Sequence, residues 1–137
     1  MEVQPYLFFN GRSEEAAQFY REALGAEITA LHRFRDSPEP LEAGSIPPGA
    51  EDKVMHMNLR IGDTIVMASD GECNGEATFQ GFSLALTVAG DDEAERVFAV
   101  LSEGGQVRMP LTKTFFSSRF GMLADRFGVG WMISVAQ

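Results

Sequence analysis

The order of hydrophobic and polar residues predicts a strand–helix–three-strand unit in the first half of the chain. Ser13 and Gly25 are suited to begin and end a helix whose apolar residues recur at helical spacing. The Gly62-Asp63 pair is suited to a hairpin turn between two strands of the unit. The predicted elements are strand 3–9, helix 14–24 and strands 26–35, 53–61 and 64–69.

The same order of patterns returns after a polar loop at 70–80. The helix end Gly25-Ala26 has a counterpart in Gly104-Gly105, which supports a duplication. We therefore predict one α+β domain, 1–137, built from two tandem βαβββ modules at about 1–70 and about 79–137. The elements predicted in the second module are strand 82–88, a helix from Asp91 or Asp92 to Glu103, strands 106–109, 115–124 and 129–135, and a tight turn at 125–128.

The strand at 53–61 carries the most polar stripe of any predicted strand. Alternation sets His56, Asn58 and Arg60 on the face opposite Met55, Met57, Leu59 and Ile61. Two interpretations stay open. The stripe could orient an anionic or carbonyl ligand, with Arg60 as a bidentate donor and His56 as an acid or base. It could equally be a solvated face near a sheet edge or a dimer contact. His32 is predicted to be a surface residue.

Composition and charge limit the kinds of molecule that the protein could bind. Hydrophobic residues make up 45% of the sequence and charged residues 23%, as in a folded globular protein. The net charge of −9 argues against nucleic acid and anionic membranes as partners. The N-terminus lacks a signal-peptide pattern, and a cytoplasmic location is expected. Cys73 lies between Glu72 and Glu76, acidic surroundings that would raise its thiol pKa and disfavour a reactive role.

Four stretches resemble the vicinal oxygen chelate superfamily, which contains the glyoxalase, bleomycin-resistance and dioxygenase proteins. Within that superfamily the chain is most similar to the PhnB-like branch, also labelled 3-demethylubiquinone methyltransferase-like. The resemblance implies that the two modules form an incomplete barrel around a cleft, and that the protein is a homodimer. The stretches are AAQFYREALGAE (16–27), HMNLRIGDTIVMASD (56–70), FQGFSLALTV (79–88) and DRFGVGWMISV (125–135).

The resemblance also implies four metal-ligand positions, on the first and last strands of each module. Motif register places Pro5, Met67, Ser83 and Met132 there. None of them is a usual ligand for a hard or borderline ion, so neither a metal nor another cofactor is expected. If these positions face the cleft, alternation turns a second set toward it: Leu7, Phe9, Ala85, Gly130 and Ser134. The alternative is that all these positions form a closed core and that the pocket is collapsed. The same alternation turns a third set toward the helices: Tyr6, Phe8, Leu84, Leu86, Trp131 and Ile133.

Together these features predict a metal-independent protein that binds a small, partly apolar molecule. The alternative is a glyoxalase- or dioxygenase-like enzyme acting on a small carbonyl or phosphonate-like substrate, with His56 and Arg60 as its catalytic residues. A methyltransferase is less supported, because no glycine-rich strand–loop–helix motif is present. The loop at 36–52 holds four of the six prolines and is a candidate lid. The predicted ligand-binding residues are His56, Asn58, Arg60, Leu7, Phe9, Met67, Ser83 and Met132.

Overall fold

A computed structural model describes residues 1–38 and 47–137, so residues 39–46 of the predicted lid lie outside the described part. The chain divides into two compact units, Met1–Ala77 and Thr78–Gln137. The first contains β1 (Tyr6–Phe8), α1 (Ser13–Leu24), β2 (Glu27–Arg33), a short 3-10 turn (Phe34–Asp36), β3 (Val54–Ile61) and β4 (Thr64–Ser69). The second contains β5 (Leu84–Val88), α2 (Asp91–Ser102), β6 (Gln106–Thr112), β7 (Phe120–Ala124) and β8 (Gly130–Val135).

The two units repeat one sheet topology. The strand order is β1-β4-β3-β2 in the first unit and β5-β8-β7-β6 in the second. In each sheet the first strand of the unit runs parallel to the last, and the other neighbours are antiparallel. The α+β fold with two βαβββ modules is thus confirmed. Neither described helix is long and apolar enough to cross a membrane.

The first module buries one face of its sheet against α1. The apolar side of this helix includes Phe19 and Tyr20, both buried, and the Tyr20 ring lies 6.4 Å from that of Phe9, centroid to centroid. Met57 and Leu59 of β3 are buried as well. The helix ends at Gly25, whose φ of 68° is left-handed, as predicted for a glycine C-cap.

The start of α1 differs from its prediction. Ser13 is the first residue of the helix rather than its cap, and its buried hydroxyl has no hydrogen-bond partner among the described residues. The Asp70 carboxylate, just beyond β4, takes the capping role. Its Oδ1 accepts hydrogen bonds from the backbone N–H groups of Gly11 at 2.9 Å and Ser13 at 2.8 Å, and its Oδ2 accepts one from Val54 at 2.8 Å. One buried side chain therefore joins α1, β3 and β4.

Two strand boundaries in the second module also differ from their predictions. Strand β6 continues through Pro110 to Thr112, because an edge strand tolerates the missing N–H of proline. Strand β7 begins at Phe120 rather than at residue 115. The preceding residues form a turn in which the Thr114 N–H donates to the Ser117 carbonyl at 2.9 Å.

The predicted turn between β7 and β8 is confirmed and has a buried acid at its centre. The Gly128 N–H donates to the Asp125 carbonyl at 2.9 Å. The Asp125 carboxylate accepts from the N–H groups of Phe127 at 2.9 Å and Val129 at 3.1 Å, and from the Trp131 indole N–H at 2.9 Å. Asp125 and Trp131 are both buried, so this carboxylate holds the start of β8 in place.

Candidate functional site

The face of the first sheet that points away from α1 carries a mixture of aromatic and polar side chains. Strand β3 alternates as predicted, with Met57 and Leu59 buried and His56 and Asn58 half-buried. Register pairs Asn58 with Met67, and pairs Met67 with Tyr6, so these three side chains share one face. We name this surface the first open face and define it by five residues: Tyr6, Phe8, His56, Asn58 and Met67.

The predicted orientation of β1 is wrong by one residue. Leu7 and Phe9 are each only 2% exposed and lie on the α1 side, whereas Tyr6 is 38% exposed and Phe8 51%. The same shift displaces the implied metal-ligand position on this strand. The β1 residue that pairs with Met67 is Tyr6, while Pro5 precedes the strand.

Three polar side chains of the first open face form a hydrogen-bonded chain. The Tyr6 hydroxyl lies 2.8 Å from His56 Nδ1, and His56 Nε2 lies 2.8 Å from Asn58 Oδ1. With the Asn58 oxygen as acceptor, Nε2 carries a proton, and in the neutral ring Nδ1 accepts from the Tyr6 hydroxyl. Both nitrogens of His56 are therefore engaged.

The rings of this face form a short aromatic row. Phe8 stacks on Tyr6 with centroids 5.0 Å apart and an interplanar angle of 28°. His56 lies on Tyr6 at 5.4 Å with a tilt of 51°. Partial burial raises the pKa of the Tyr6 phenol above its ordinary value, and a hydrogen bond with Ser69 offsets part of that rise. The phenol thus stays a neutral hydrogen-bond donor at physiological pH.

Arg60 and His32 lie at the margin of this surface. The Arg60 guanidinium forms an ion pair with Glu27 at 2.5 Å, and both side chains are largely exposed. Arg60 is four residues beyond His56 on the same strand, about 13 Å away along β3, so the two are not neighbours. His32 is exposed, as predicted for a surface residue. Its Cα partner across the β2–β3 ladder is His56.

The second sheet has the orientation that alternation predicts. Register pairs Ala85 with Met132. Trp131 and Ile133 are buried, whereas Met132 and Ser134 are half-buried. Ser83 belongs to the same face, because its hydroxyl lies beside the position where a Gly130 side chain would begin.

The donor chemistry of the implied metal positions does not fit a divalent ion. Pro5, Met67 and Met132 offer no side-chain oxygen or nitrogen, and Ser83 offers only a neutral hydroxyl. Tyr6, which occupies the β1 position beside Met67, supplies a phenol with a raised pKa rather than a ready anion. In the described ranges, 1–38 and 47–137, no group of three His, Cys, Asp or Glu side chains is placed to hold a metal.

The single cysteine behaves as its surroundings predict. The pKa of the Cys73 thiol is raised, first by burial and then by the charge of Asp70, with Lys53 opposing. The predicted direction is confirmed, although Asp70 rather than Glu72 or Glu76 supplies the negative charge. A raised pKa leaves little thiolate at neutral pH, which disfavours a nucleophilic role.

Comparison with known proteins gives relatives that span the whole chain. Protein YjdN of Escherichia coli K12 is 34% identical over 142 residues, covering 100% of this chain and 97% of that protein. Protein PA1353 from Pseudomonas aeruginosa has a crystal structure with a TM-score of 0.84 and 41% identity, covering 100% of this chain and 98% of that one. A PhnB protein from Bacillus cereus, described as a putative 3-demethylubiquinone-9 3-methyltransferase, has a structure with a TM-score of 0.80 and 31% identity, covering 99% of this chain and 100% of that one.

More distant structures share the fold alone. A glyoxalase-related enzyme from Fulvimarina pelagi has a TM-score of 0.58 at 20% identity, covering 98% of this chain and 88% of that one. The family model described as 3-demethylubiquinone-9 3-methyltransferase matches residues 1–134. The chain therefore belongs to this PhnB-like family.

Proposed function

We propose that this protein binds a small, partly apolar molecule on the first open face, without a metal ion or another cofactor. The observation that carries the proposal is a pair of stacked, exposed rings, Tyr6 and Phe8, beside a hydrogen-bonded polar chain. Small-molecule sites combine apolar and aromatic surface with a few placed polar groups, and this face has that composition.

Each residue of the face has a part in this proposal. The rings of Tyr6 and Phe8 stack against a planar or apolar portion of the ligand, and the flexible thioether of Met67 adapts to its outline. The Asn58 amide oxygen accepts a hydrogen bond from His56 Nε2, and the NH₂ group of Asn58 is then available to donate to a ligand oxygen. That Ser83 and Met132 contact a ligand stays a prediction from the sequence. Tyr6 and Phe8 replace Leu7 and Phe9 in the proposal.

The enzyme alternative has weaker support. A general base needs a nitrogen lone pair that can reach a substrate proton, but both ring nitrogens of His56 already have partners. The guanidinium of Arg60 is paired with Glu27 and is remote from His56 along the strand. The geometry therefore favours His56 as an organising group that orients Tyr6 and Asn58 over His56 as a catalyst.

A thermal-shift screen tests the binding proposal. Planar aromatic metabolites and antibiotics are the probes, because a compound that binds only the folded protein raises Tm. Tyr6→Ala and Phe8→Ala should each weaken a hit by about tenfold, since each removes stacking area. Phe82→Ala, which removes an exposed ring from the other module, is the matched control. If Phe82→Ala weakened binding of the compound equally, the compound would not be bound on the first open face.

Metal independence is tested on the same hit. Protein treated with a chelator should retain the full thermal shift, and elemental analysis of protein purified without chelator should find no stoichiometric divalent ion. The physical reason is the lack of suitable donors at the implied ligand positions. One bound ion per chain, or loss of the shift on chelation, would overturn this part of the proposal.

We also propose that the protein is a homodimer, as the superfamily resemblance implies. The turn before β7 exposes an aromatic cluster in which Phe115 is 100% exposed and packs edge-on against Phe116, which in turn packs against Phe120. Exposed apolar clusters of this kind are commonly covered by a protein partner. Sedimentation should give a dimer mass for the unchanged chain and a monomer mass for Phe115→Ser/Phe116→Ser. A monomer mass for the unchanged chain would contradict the proposal.

A further inference from the structure

The charge of this chain is divided unevenly between its two units. The first unit, 1–77, holds 14 of the 20 aspartate and glutamate residues but only 6 of the 11 lysine and arginine residues, a net charge of −8. The second unit, 78–137, holds the other 6 and 5, a net charge of −1. A molecule that approaches the first unit therefore meets a negative potential, which attracts cations and repels anions.

The first sheet offers no spare counter-charge to an anionic ligand. Its four strands contain two arginines and no lysine, and both arginines are paired with carboxylates: Arg33 with Glu14 and Arg60 with Glu27, each at 2.5 Å. The imidazole of His56 has a hydrogen-bond partner on each nitrogen. The five residues that define the first open face include no lysine or arginine, so nothing on this face compensates a carboxylate or phosphonate.

The loop after β4 brings carboxylates to the Phe8 end of the first open face. Gly71 passes against Phe8, since a Cβ added to the glycine would lie 3.1 Å from Phe8 Cδ1. The loop is also tied to the end of β1, because the side-chain amide of Asn10 donates to the backbone carbonyl of Glu76. Glu72 and Glu76 are exposed, and neither carboxylate has an ion pair in the described part of the chain.

The two rings on this face are suited to a positive charge. Phe8 is 51% exposed and Tyr6 38%, and the rings are stacked, so the pair forms one aromatic surface open to solvent. The negative potential over an aromatic face attracts a cation that lies within about 6 Å of the ring centroid, and at an exposed site this raises affinity by about two- to fivefold. Uncompensated carboxylates beside the ring add to that attraction.

We infer that the molecule bound on the first open face is an organic cation, an ammonium or amidinium group carried on an apolar body. Its charge lies over the Phe8 and Tyr6 rings, with Glu72 and Glu76 as counter-charges, and its apolar body covers Met67. This inference rests on the proposed function, because it names the class of ligand for the same surface. An anionic ligand, one of the possibilities raised by the polar stripe of β3, is thereby disfavoured.

Three small probes that share one aromatic body test the inference. Phenethylammonium is the cation, 2-phenylethanol the neutral analogue and 3-phenylpropanoate the anion, and each is titrated into the full chain at neutral pH and low salt. Shifts of the Tyr6 and Phe8 ring signals in NMR spectra locate and measure binding. We expect phenethylammonium to bind about fourfold more tightly than 2-phenylethanol, and 3-phenylpropanoate to bind more weakly than both.

The outcomes of this titration separate the inference from the proposed function. If phenethylammonium bound no more tightly than 2-phenylethanol, the cation inference would be overturned while the binding surface would stand. If none of the three probes shifted the signals of either ring, both the inference and the proposed function would be overturned.

Substitutions distinguish the aromatic surface from general charge attraction. Phe8→Leu keeps an apolar side chain without an aromatic face, so the preference for phenethylammonium over 2-phenylethanol should fall by about twofold. Glu72→Gln should weaken phenethylammonium by about twofold and leave 2-phenylethanol unchanged. The matched control is Glu22→Gln, which removes an exposed carboxylate from α1, on the other side of the sheet. A preference unchanged by Phe8→Leu, or equal weakening by Glu22→Gln and Glu72→Gln, would overturn the inference.

Discussion

Replacement of Asp70 by alanine is expected to lower the free energy of unfolding by about 3–5 kcal/mol. The carboxylate is 1% exposed and accepts from the backbone N–H groups of Gly11, Ser13 and Val54. Alanine removes the acceptor of all three donors. Such a loss is a large part of the 5–15 kcal/mol that stabilises an ordinary domain.

Urea unfolding followed by circular dichroism measures this effect. Asp70→Asn should give an intermediate loss of unfolding free energy. Its amide oxygen can still accept from the N–H groups of Gly11 and Ser13, but its NH₂ group would face the Val54 N–H, donor against donor. Asp63→Asn, in the exposed turn between β3 and β4, removes the same charge and should change stability by less than about 0.5 kcal/mol. A loss for Asp70→Ala as small as that of the Asp63 control would contradict the assigned capping role.

Replacement of Asp125 by alanine is the second large expected effect, a loss of about 2–4 kcal/mol. This buried carboxylate binds two backbone N–H groups of its own turn and the Trp131 indole N–H. Its removal should loosen the turn and the start of β8 together. Because Trp131 is the single tryptophan, its fluorescence reports on this region alone.

A double-mutant cycle with Trp131→Phe isolates the indole contact. Phenylalanine keeps most of the buried ring but has no N–H donor, so it deletes the contact to Asp125 Oδ2 and leaves the turn bonds in place. We expect the two substitutions together to cost less than the sum of their single effects, by about 1 kcal/mol or more. Strict additivity would show that the indole hydrogen bond contributes nothing measurable.

These two acids show why buried carboxylates here are structural rather than catalytic. Each is surrounded by backbone donors of its own module, and those donors consume its acceptor sites. The proposed binding surface instead uses groups with spare capacity, namely the exposed rings of Tyr6 and Phe8. Stability and binding are therefore expected to separate by mutation.

Periodicity alone predicted which side of β3 is buried but not which side of β1. In β3, polar residues alternate with apolar ones, so burial of Met57 and Leu59 necessarily exposes His56 and Asn58. In β1 the sequence Tyr6-Leu7-Phe8-Phe9 is aromatic or aliphatic throughout. Either phase buries apolar area, and only pairing of Tyr6 with Met67 decides that Leu7 and Phe9 face α1.

Local sequence patterns also could not predict hydrogen bonds between residues that are far apart in the chain. Ser13 has the residue type of an N-cap, but Asp70, 57 positions away, reaches the helix start first.

By itself, the sequence determined the duplication, the order and approximate bounds of the elements, the turn at 125–128 and the polar stripe of β3. These depend on residues close together in the chain, where helical and strand periods and turn residues act locally. Tertiary structure decided the phase of β1, the cap of α1 by Asp70 and the pairing of Arg60 with Glu27. Each of these is settled by strand register or by buried hydrogen bonding between distant segments, which local patterns do not encode.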